Sequence, residues 1–111
     1  MNTISWDDFE KVEIRVGTVL TAEPFPEARN PAYKLTLDFG SLGVKQTSAQ
    51  ITKRYNPVEL VGRQVLAVTN FPPKKVAGFS SEVLILGAVP GKGDVVLINV
   101  DERVSDGVRV F

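Results

Sequence analysis

Apolar and polar residues alternate along the first half of the chain, and this period of two constrains the fold more than any other feature. Within residues 11–23 the even positions carry Val12, Ile14, Val16, Leu20 and Ala22. Residues 33–39 repeat the pattern, and residues 44–48 form a shorter third run. Because successive side chains of a strand point to opposite faces, these runs predict three half-buried strands. Gly17, inside the first run, predicts a bulge or a barrel corner.

A short helix is predicted to follow the third strand. Thr47 and Gln50 have the spacing of a capping box that would start it, and Asn56-Pro57 would end it, because a residue before proline avoids helical angles. Apolar runs predict further strands at residues 64–69, 83–87, 95–100 and 108–111. Residues 70–79, which are both basic and apolar, are predicted to form a loop.

This order of elements suits an antiparallel barrel. We therefore predict an all-β protein, a five-stranded OB-fold Greek-key barrel with a short helix between strands 3 and 4 and with terminal extensions. An SH3-like barrel shares much of this order and stays an alternative. A chain of 111 residues has room for one domain, predicted over residues 1–111, with a core at about residues 9–111 and a leader at residues 1–9. At this size a site is expected in a groove or an interface rather than a deep cleft.

The sequence contains no Cys and no His. Ser/His/Asp triads, Cys/His pairs, thiolate or imidazole zinc sites and disulfides are therefore excluded. Gly91-Lys92-Gly93-Asp94 superficially resembles a phosphate loop, but it is too short and no helix follows, so it indicates a turn. We predict no catalytic residues, no metal site and no cofactor, and therefore a binding protein rather than an enzyme.

The chain carries no recognisable targeting or membrane signal. No charged segment followed by an apolar one opens it, and its apolar stretches are far shorter than the about 18 residues that span a bilayer. A domain without cysteine gives no sign of an oxidising compartment. We therefore expect a cytoplasmic protein without membrane insertion.

Positive charge is concentrated in the middle of the chain, although the formal net charge is zero. The cations of strand 3, of the helix and of the loop between strands 4 and 5 are Lys45, Lys53, Arg54, Lys74 and Lys75. OB-folds bind oligonucleotides through strands 2 and 3 and the flanking loops, so these residues predict a phosphate-binding patch. A solvated basic face is the alternative, and no clustered aromatic stripe accompanies the patch to stack bases.

Both termini are apolar. The N-terminal residues concerned are Ile4, Trp6 and Phe9, and the C-terminal residues are Val108, Val110 and Phe111. Because a small barrel is already filled by its own strands, these side chains predict an interface with a second copy of the chain. Packing over the end of the barrel within one chain is the alternative.

Nearly the whole chain, from about Phe9 to Phe111, resembles the stand-alone tRNA-binding domain family, and within it the CsaA-like proteins. The resemblance is carried by residues 8–17, 46–55 and 70–84. It implies a homodimeric OB-fold protein that acts as an export-related chaperone for unfolded or precursor polypeptides, whereas other relatives bind tRNA. In the tRNA-binding relatives a Gly and a Met stand where this sequence has Val83 and Leu84, which favours the CsaA-like branch.

Two partners are therefore expected, unfolded or precursor polypeptides first and tRNA as the alternative. For polypeptides, a rigid apolar segment is predicted to form the contact surface: Phe71, Pro72, Pro73, Val76 and Phe79. For tRNA, the resemblance points to Lys34, Lys45, Ser48, Lys53, Lys74, Lys75 and Ser81, to which the basic patch adds Arg54.

Overall fold

The structure, a computed structural model, describes all residues from Met1 to Phe111. Its elements in chain order are α1 (Trp6–Glu10), β1 (Ile14–Pro24), β2 (Tyr33–Asp38), β3 (Val44–Ala49), α2 (Pro57–Leu60), β4 (Gln64–Val68), β5 (Lys74–Val76), β6 (Phe79–Ser81), β7 (Leu84–Ile85), β8 (Gly87–Gly91), β9 (Asp94–Leu97) and β10 (Arg109–Val110). A 3₁₀ turn at Gly40–Leu42 connects β2 to β3. No helix is long and apolar enough to cross a membrane.

The main sheet curls into a nearly closed barrel. Its strand order is β3-β2-β1-β4-β7 with antiparallel neighbours, and β10 pairs with the start of β1. Closure joins β3 to residues 82–83, because the Glu82 N–H donates to the Gln46 carbonyl over 2.9 Å and the Thr47 hydroxyl donates to the Val83 carbonyl over 2.6 Å. The predicted all-β OB-type barrel with a short helix between β3 and β4 is confirmed.

The core follows from the alternating pattern. Tyr33, Leu35 and Leu37 of β2 are buried while the residues between them are half-exposed, and every residue of β4 is buried. The bulge that was one of the two predictions for Gly17 lies elsewhere, because the register shift of β1 falls between Val19 and Thr21. Gly17 instead gives room to a core ring, since a Cβ there would lie 2.7 Å from the Phe39 side chain.

The predicted position of the helix is also wrong. Thr47 does not cap a helix; it lies within β3, fully buried, with its hydroxyl bonded to the Val83 carbonyl. Helix α2 begins at Pro57, and the Asn56 N–H donates to the Glu59 carboxylate over 2.7 Å in a capping interaction. Pairing of β3 with β2 therefore overrides the local capping signal. Pro57 starts the helix, because its missing N–H is not needed in a first turn.

Residues 70–79, predicted to be a loop, contain most of a β-hairpin. Strands β5 and β6 pair from Lys74 with Ser81 to Val76 with Phe79. Ala77 and Gly78 form the turn with φ angles of 47° and 81°, the positive angles of a type I′ turn. The predicted tail strands are shorter in the structure, where β9 ends at Leu97 and β10 contains two residues.

The turn predicted at residues 91–94 is confirmed. Gly91 and Asp94 are paired in the β8–β9 hairpin, and Gly93 has a φ angle of 71°. No helix follows this turn, so nothing there provides the N-terminus of a phosphate loop.

Candidate binding groove

An open groove with a volume of about 590 Å³ lies on one side of the barrel. One wall is the loop from Ala28 to Ala32 that connects β1 to β2, and the other contains the segment before β5, the β5–β6 hairpin and β7. Between them lie the end of β3 and the buried side chains of Ile51 and Val83. More than half of the lining residues are hydrophobic, so the groove can remove apolar side chains of a ligand from water.

The residues predicted to bind polypeptide are divided by the structure. Phe71, Pro72 and Val76 line the groove, and Phe71 is 54% exposed there. Pro73 is exposed but does not line the groove. Phe79 packs edge to face against the buried ring of Phe25, at a centroid distance of 5.5 Å. Phe79 therefore belongs to a contact behind the groove rather than to its lining.

The lysines predicted to bind phosphate differ in position. Lys74 lines the groove. Lys75 is the next residue of β5, and because successive side chains of a strand point to opposite faces, its side chain points away from the groove. Lys53 is exposed, and Lys45 of β3 is half-exposed. None of these four lysines takes part in an ion pair, so their charges are available to an anionic ligand. Arg29, which the sequence analysis did not select, also lines the groove.

Arg54 is engaged in an ion pair with Asp94 of β9. Its guanidinium donates to both carboxylate oxygens, at 2.9 Å for Nη2 and Oδ2. This hydrogen bond raises the pKa of Arg54 and holds the pKa of Asp94 below its ordinary value. Asp94 therefore balances the charge of Arg54, whereas the four lysines have no acidic partner.

Ser48 and Ser81 also line the groove, and the Ser81 hydroxyl bonds to residues of β3. The Ser48 N–H donates to the Ser81 hydroxyl over 3.1 Å, and the Thr47 and Ser81 hydroxyl oxygens are 3.0 Å apart. Ser81 thus ties the hairpin to β3. The Gln46 side chain reinforces this contact by donating to the Ser80 carbonyl over 3.0 Å.

The aromatic residues of the two termini form one cluster, here called the terminal cluster: Trp6, Phe9 and Phe111. Ile4, two residues before Trp6 in the sequence, is 69% exposed. Trp6 contacts Phe9 edge to face at a centroid distance of 6.2 Å, and Phe9 contacts Phe111 at 5.7 Å. Helix α1 has no buried residue, and Trp6 remains 74% exposed. Folding of one chain therefore leaves this cluster in water. Of the other predicted interface residues, Val108 is exposed and Val110 half-buried.

The terminal cluster is held by two residues that the sequence analysis missed. The Asn70 amide donates to the Lys11 carbonyl over 2.6 Å, and its side-chain oxygen accepts the Glu13 N–H over 3.0 Å. Arg109 donates to the Glu10 carbonyl over 2.8 Å and covers the Phe111 ring at 4.7 Å. No residue pattern near either position signals these hydrogen bonds, because each hydrogen-bond partner is more than fifty residues away in the sequence.

The chain is similar to proteins of a known family and of known structure. A family model described as a putative tRNA binding domain matches residues 14–109. The methionine–tRNA ligase of Rhodopirellula baltica is 43% identical over 107 residues, which are 96% of this chain and 16% of that ligase. The crystal structure of chaperone CsaA from Bacillus anthracis is 55% identical, with a TM-score of 0.96, over 99% of this chain and 100% of that chain.

A second CsaA structure shows the same agreement. The CsaA chaperone of Picrophilus torridus is 44% identical, with a TM-score of 0.92, over 98% of this chain and 100% of that chain. The chain spans only 16% of the length of the Rhodopirellula ligase, so that similarity concerns one segment of a much longer enzyme. The two CsaA structures, in contrast, are matched along their whole length.

Proposed function

This chain belongs to the tRNA-binding domain family, in its CsaA-like branch, and from that premise we propose that it is a non-catalytic chaperone that binds unfolded or precursor polypeptides in its groove. The observation that carries the proposal is the apolar lining, to which Phe71, Pro72 and Val76 contribute. An unfolded chain exposes apolar side chains that a folded one buries, and such a lining recognises them without reading a sequence. The connection with protein export is part of the same proposal.

The rim of the groove suits a polypeptide as well. Lys74 and Arg29 contribute positive charge beside the apolar surface, and the Gln50 and Asn30 side chains bring amide groups that both donate and accept hydrogen bonds. Pro72 and Pro73 restrict the segment that carries Phe71, which lowers the entropy lost when a ligand is bound. The two similar solved structures are of CsaA chaperones, which supports the same function.

The remaining features of the proposal concern assembly and location. We propose a homodimer that buries the terminal cluster, since a small soluble protein rarely leaves such a cluster of aromatic side chains in water. Residues 1–111 form one domain with a core at about residues 9–111. We further propose that the protein is cytoplasmic, works without a cofactor and does not insert into membranes.

Calorimetry of peptide binding at several temperatures and salt concentrations tests the chaperone function. Burial of apolar side chains predicts a negative heat-capacity change and an affinity that tolerates salt. The ligand is a short acetylated and amidated peptide of Leu, Val, Ala and Ser, which carries no charge. The proposal is rejected if no binding is detected up to about millimolar peptide while tRNA binds at physiological salt.

Binding of tRNA is the second candidate, and four lysines without acidic partners favour it: Lys45, Lys53, Lys74 and Lys75. Each phosphate contact releases counterions and contributes about 0.7 to 0.9 to the slope of log affinity against log salt. Neutralising Lys74 and Lys75 together, as Lys→Gln, is expected to flatten the slope by up to about two. A tRNA affinity unchanged in this double variant would exclude both lysines from the RNA contact.

A further inference from the structure

Lys34 of β2 lies at a contact between the two walls of the groove. Its Nζ atom is 4.7 Å from the ring centroid of Phe25 and 5.4 Å from that of Phe79. The two rings meet edge to face, with centroids 5.5 Å apart. Phe25 belongs to the connection between β1 and β2, and Phe79 begins β6. The three side chains therefore connect one wall of the groove to the other.

The surroundings of Lys34 differ from those of the other cations assigned to RNA. Its side chain is 29% exposed, and a Glu27 carboxylate oxygen lies 4.0 Å from Nζ. Lys74 and Lys75 are exposed and have no acidic partner. Lys34 is therefore already attracted by two aromatic rings and a carboxylate, whereas the exposed lysines are not. Lys34 also does not line the groove, so it has no direct contact with a ligand there.

Backbone contacts connect Phe25 and Phe79 to residues that line the groove. The Phe25 N–H donates to the Ala32 carbonyl over 3.1 Å, and its carbonyl accepts the Ala28 N–H over 3.2 Å. Ala28 and Ala32 both line the groove. On the opposite wall, Phe79 is the cross-strand partner of Val76, which lines the groove as well.

We propose that Lys34 is a positioning residue that fixes the distance between the two walls, and so the width of the groove, through its contacts with Phe25 and Phe79. This role rests on the proposed binding of polypeptides. A cation over an aromatic face is attracted by the negative charge of the ring face. Lys34 thereby holds together two segments that no strand pairing connects.

Substitutions of Lys34 test this role with the uncharged peptide described above. Because this peptide carries no charge, a loss of affinity cannot come from a lost ion pair between Lys34 and the ligand. Lys34→Met keeps the length of the side chain but removes its charge, and we expect peptide affinity to fall about fivefold. Lys34→Arg keeps a cation that stacks on aromatic rings and should restore affinity to within about twofold of the original. Lys92→Met, in the exposed β8–β9 turn and outside the groove, is the matched control and should bind as the original protein does.

Phe79→Leu is a second variant that keeps an apolar side chain but removes the ring, and it should weaken binding as Lys34→Met does. Urea unfolding establishes that each variant is folded. The proposal is overturned if Lys34→Met binds the peptide like the original protein. It is equally overturned if Lys34→Arg is as weak as Lys34→Met, because the effect would then depend on the ammonium group itself.

A readout without ligand separates this proposal from the chaperone function. If the original protein binds no peptide, the chaperone function fails, and amide hydrogen exchange still measures the contact between the walls. Residues 28–32 and 74–81 should then exchange faster in Lys34→Met than in Lys34→Arg, while β1 and β4 are unchanged. Equal exchange of the two variants in these segments would overturn the role of Lys34.

Discussion

The groove and the terminal cluster are both exposed and apolar, but they differ in shape and in what surrounds them. The groove is concave, has polar side chains and free positive charge on its rim, and is built on the barrel wall. The terminal cluster consists of three aromatic rings in contact, two of them on helix α1, which has no buried residue, and one at the C-terminal residue Phe111. The groove suits a ligand that binds reversibly, and the terminal cluster suits a partner that is bound permanently.

The difference extends to how each surface is fixed. The groove is held by contacts between its parts, such as the hydrogen bond from the Ser48 N–H to the Ser81 hydroxyl and the contacts of Lys34 with Phe25 and Phe79. Helix α1 is held mainly at its C-terminal end, where Asn70 and Arg109 bond to backbone carbonyls of residues 10–12. A surface held at one end gains order when a second copy covers it. This contrast teaches that two exposed apolar surfaces of one small protein need not share a function.

Removing Trp6 is expected to have the largest effect. In the proposed dimer the indole is buried by the partner, so Trp6→Ala should weaken self-association on the order of 100-fold, the loss of a typical aromatic hot spot. Light scattering over a range of concentrations measures the mass, which should fall from twice the 12.1 kDa of one chain to that of a single chain. Peptide affinity should be unchanged.

Two results would contradict this prediction. If the unaltered protein has the mass of one chain at about tens of micromolar, the terminal cluster does not form a dimer interface. If Trp6→Ala also loses peptide affinity, the partner subunit completes the groove, and the distinction between the two surfaces is lost. Val89→Ala, on an exposed part of β8, is the control for loss of an exposed apolar side chain outside both surfaces.

Phe71→Ala is the reciprocal variant on the groove. Its exposed ring lines the groove, and we expect peptide affinity to weaken by about 1 to 3 kcal/mol, with self-association unchanged. Calorimetry measures the affinity and light scattering the mass. The control is Val58→Ala, because Val58 is 87% exposed on α2 and lines no part of the groove. An unchanged affinity in Phe71→Ala would remove the main apolar anchor from the proposed site.

Much of the barrel could be predicted from local pattern. The alternation of residues 33–39 places Tyr33, Leu35 and Leu37 on the buried face of β2, as observed. The helix position could not be predicted, because Thr47 bonds to Val83, which lies 36 residues away in the sequence. The β5–β6 hairpin was missed because its turn begins with Ala77 instead of the Asn or Asp that usually precedes Gly in a type I′ turn.

The site was predictable in its residue types but not in its arrangement. The sequence shows that residues 70–79 are basic and apolar, and that segment does form part of a groove wall. It does not show that Phe71 faces the groove while Phe79 packs against Phe25, since this depends on the hairpin register. Nor does it show that Arg54 is bound by Asp94, forty residues away.

A smaller effect is expected at the hairpin turn of the groove wall. Ala77 is the only residue other than glycine with a positive φ angle, which costs an L-residue with a Cβ about 1 kcal/mol or more. Ala77→Asn should therefore raise the free energy of unfolding by about 0.5 to 1 kcal/mol, because Asn tolerates this conformation. Urea unfolding measures the change, with Ala88→Asn on β8 as control. A destabilised Ala77→Asn would show that the turn is not a source of strain.

The smallest expected effect concerns acid stability, where each surface has its own carboxylate. Beside the terminal cluster, a hydrogen bond from Arg15 and the charges of Arg109 and Arg15 hold the pKa of Glu13 below its ordinary value of 4.5. Near the groove, a hydrogen bond from Arg54 holds the pKa of Asp94 below its ordinary value of 3.8. A carboxyl with a lower pKa in the folded state contributes stability above its unfolded pKa, and the contribution is lost as the pH falls through its folded pKa.

Acid should therefore weaken both sides of the molecule, independently and by small amounts, because both ion pairs are solvent-accessible. Glu13→Gln and Asp94→Asn each remove part of the pH dependence below about pH 4.5, and their effects should add, since the two carboxylates have no hydrogen-bond partner in common. Urea unfolding at fixed protein concentration, at about pH 6 and about pH 3, compares both single variants and the double variant with the original protein. If the double variant keeps the full pH dependence of the free energy of unfolding, neither ion pair contributes to acid stability. If the effect of the double variant differs from the sum of the two single-variant effects, the terminal side and the groove side are energetically coupled.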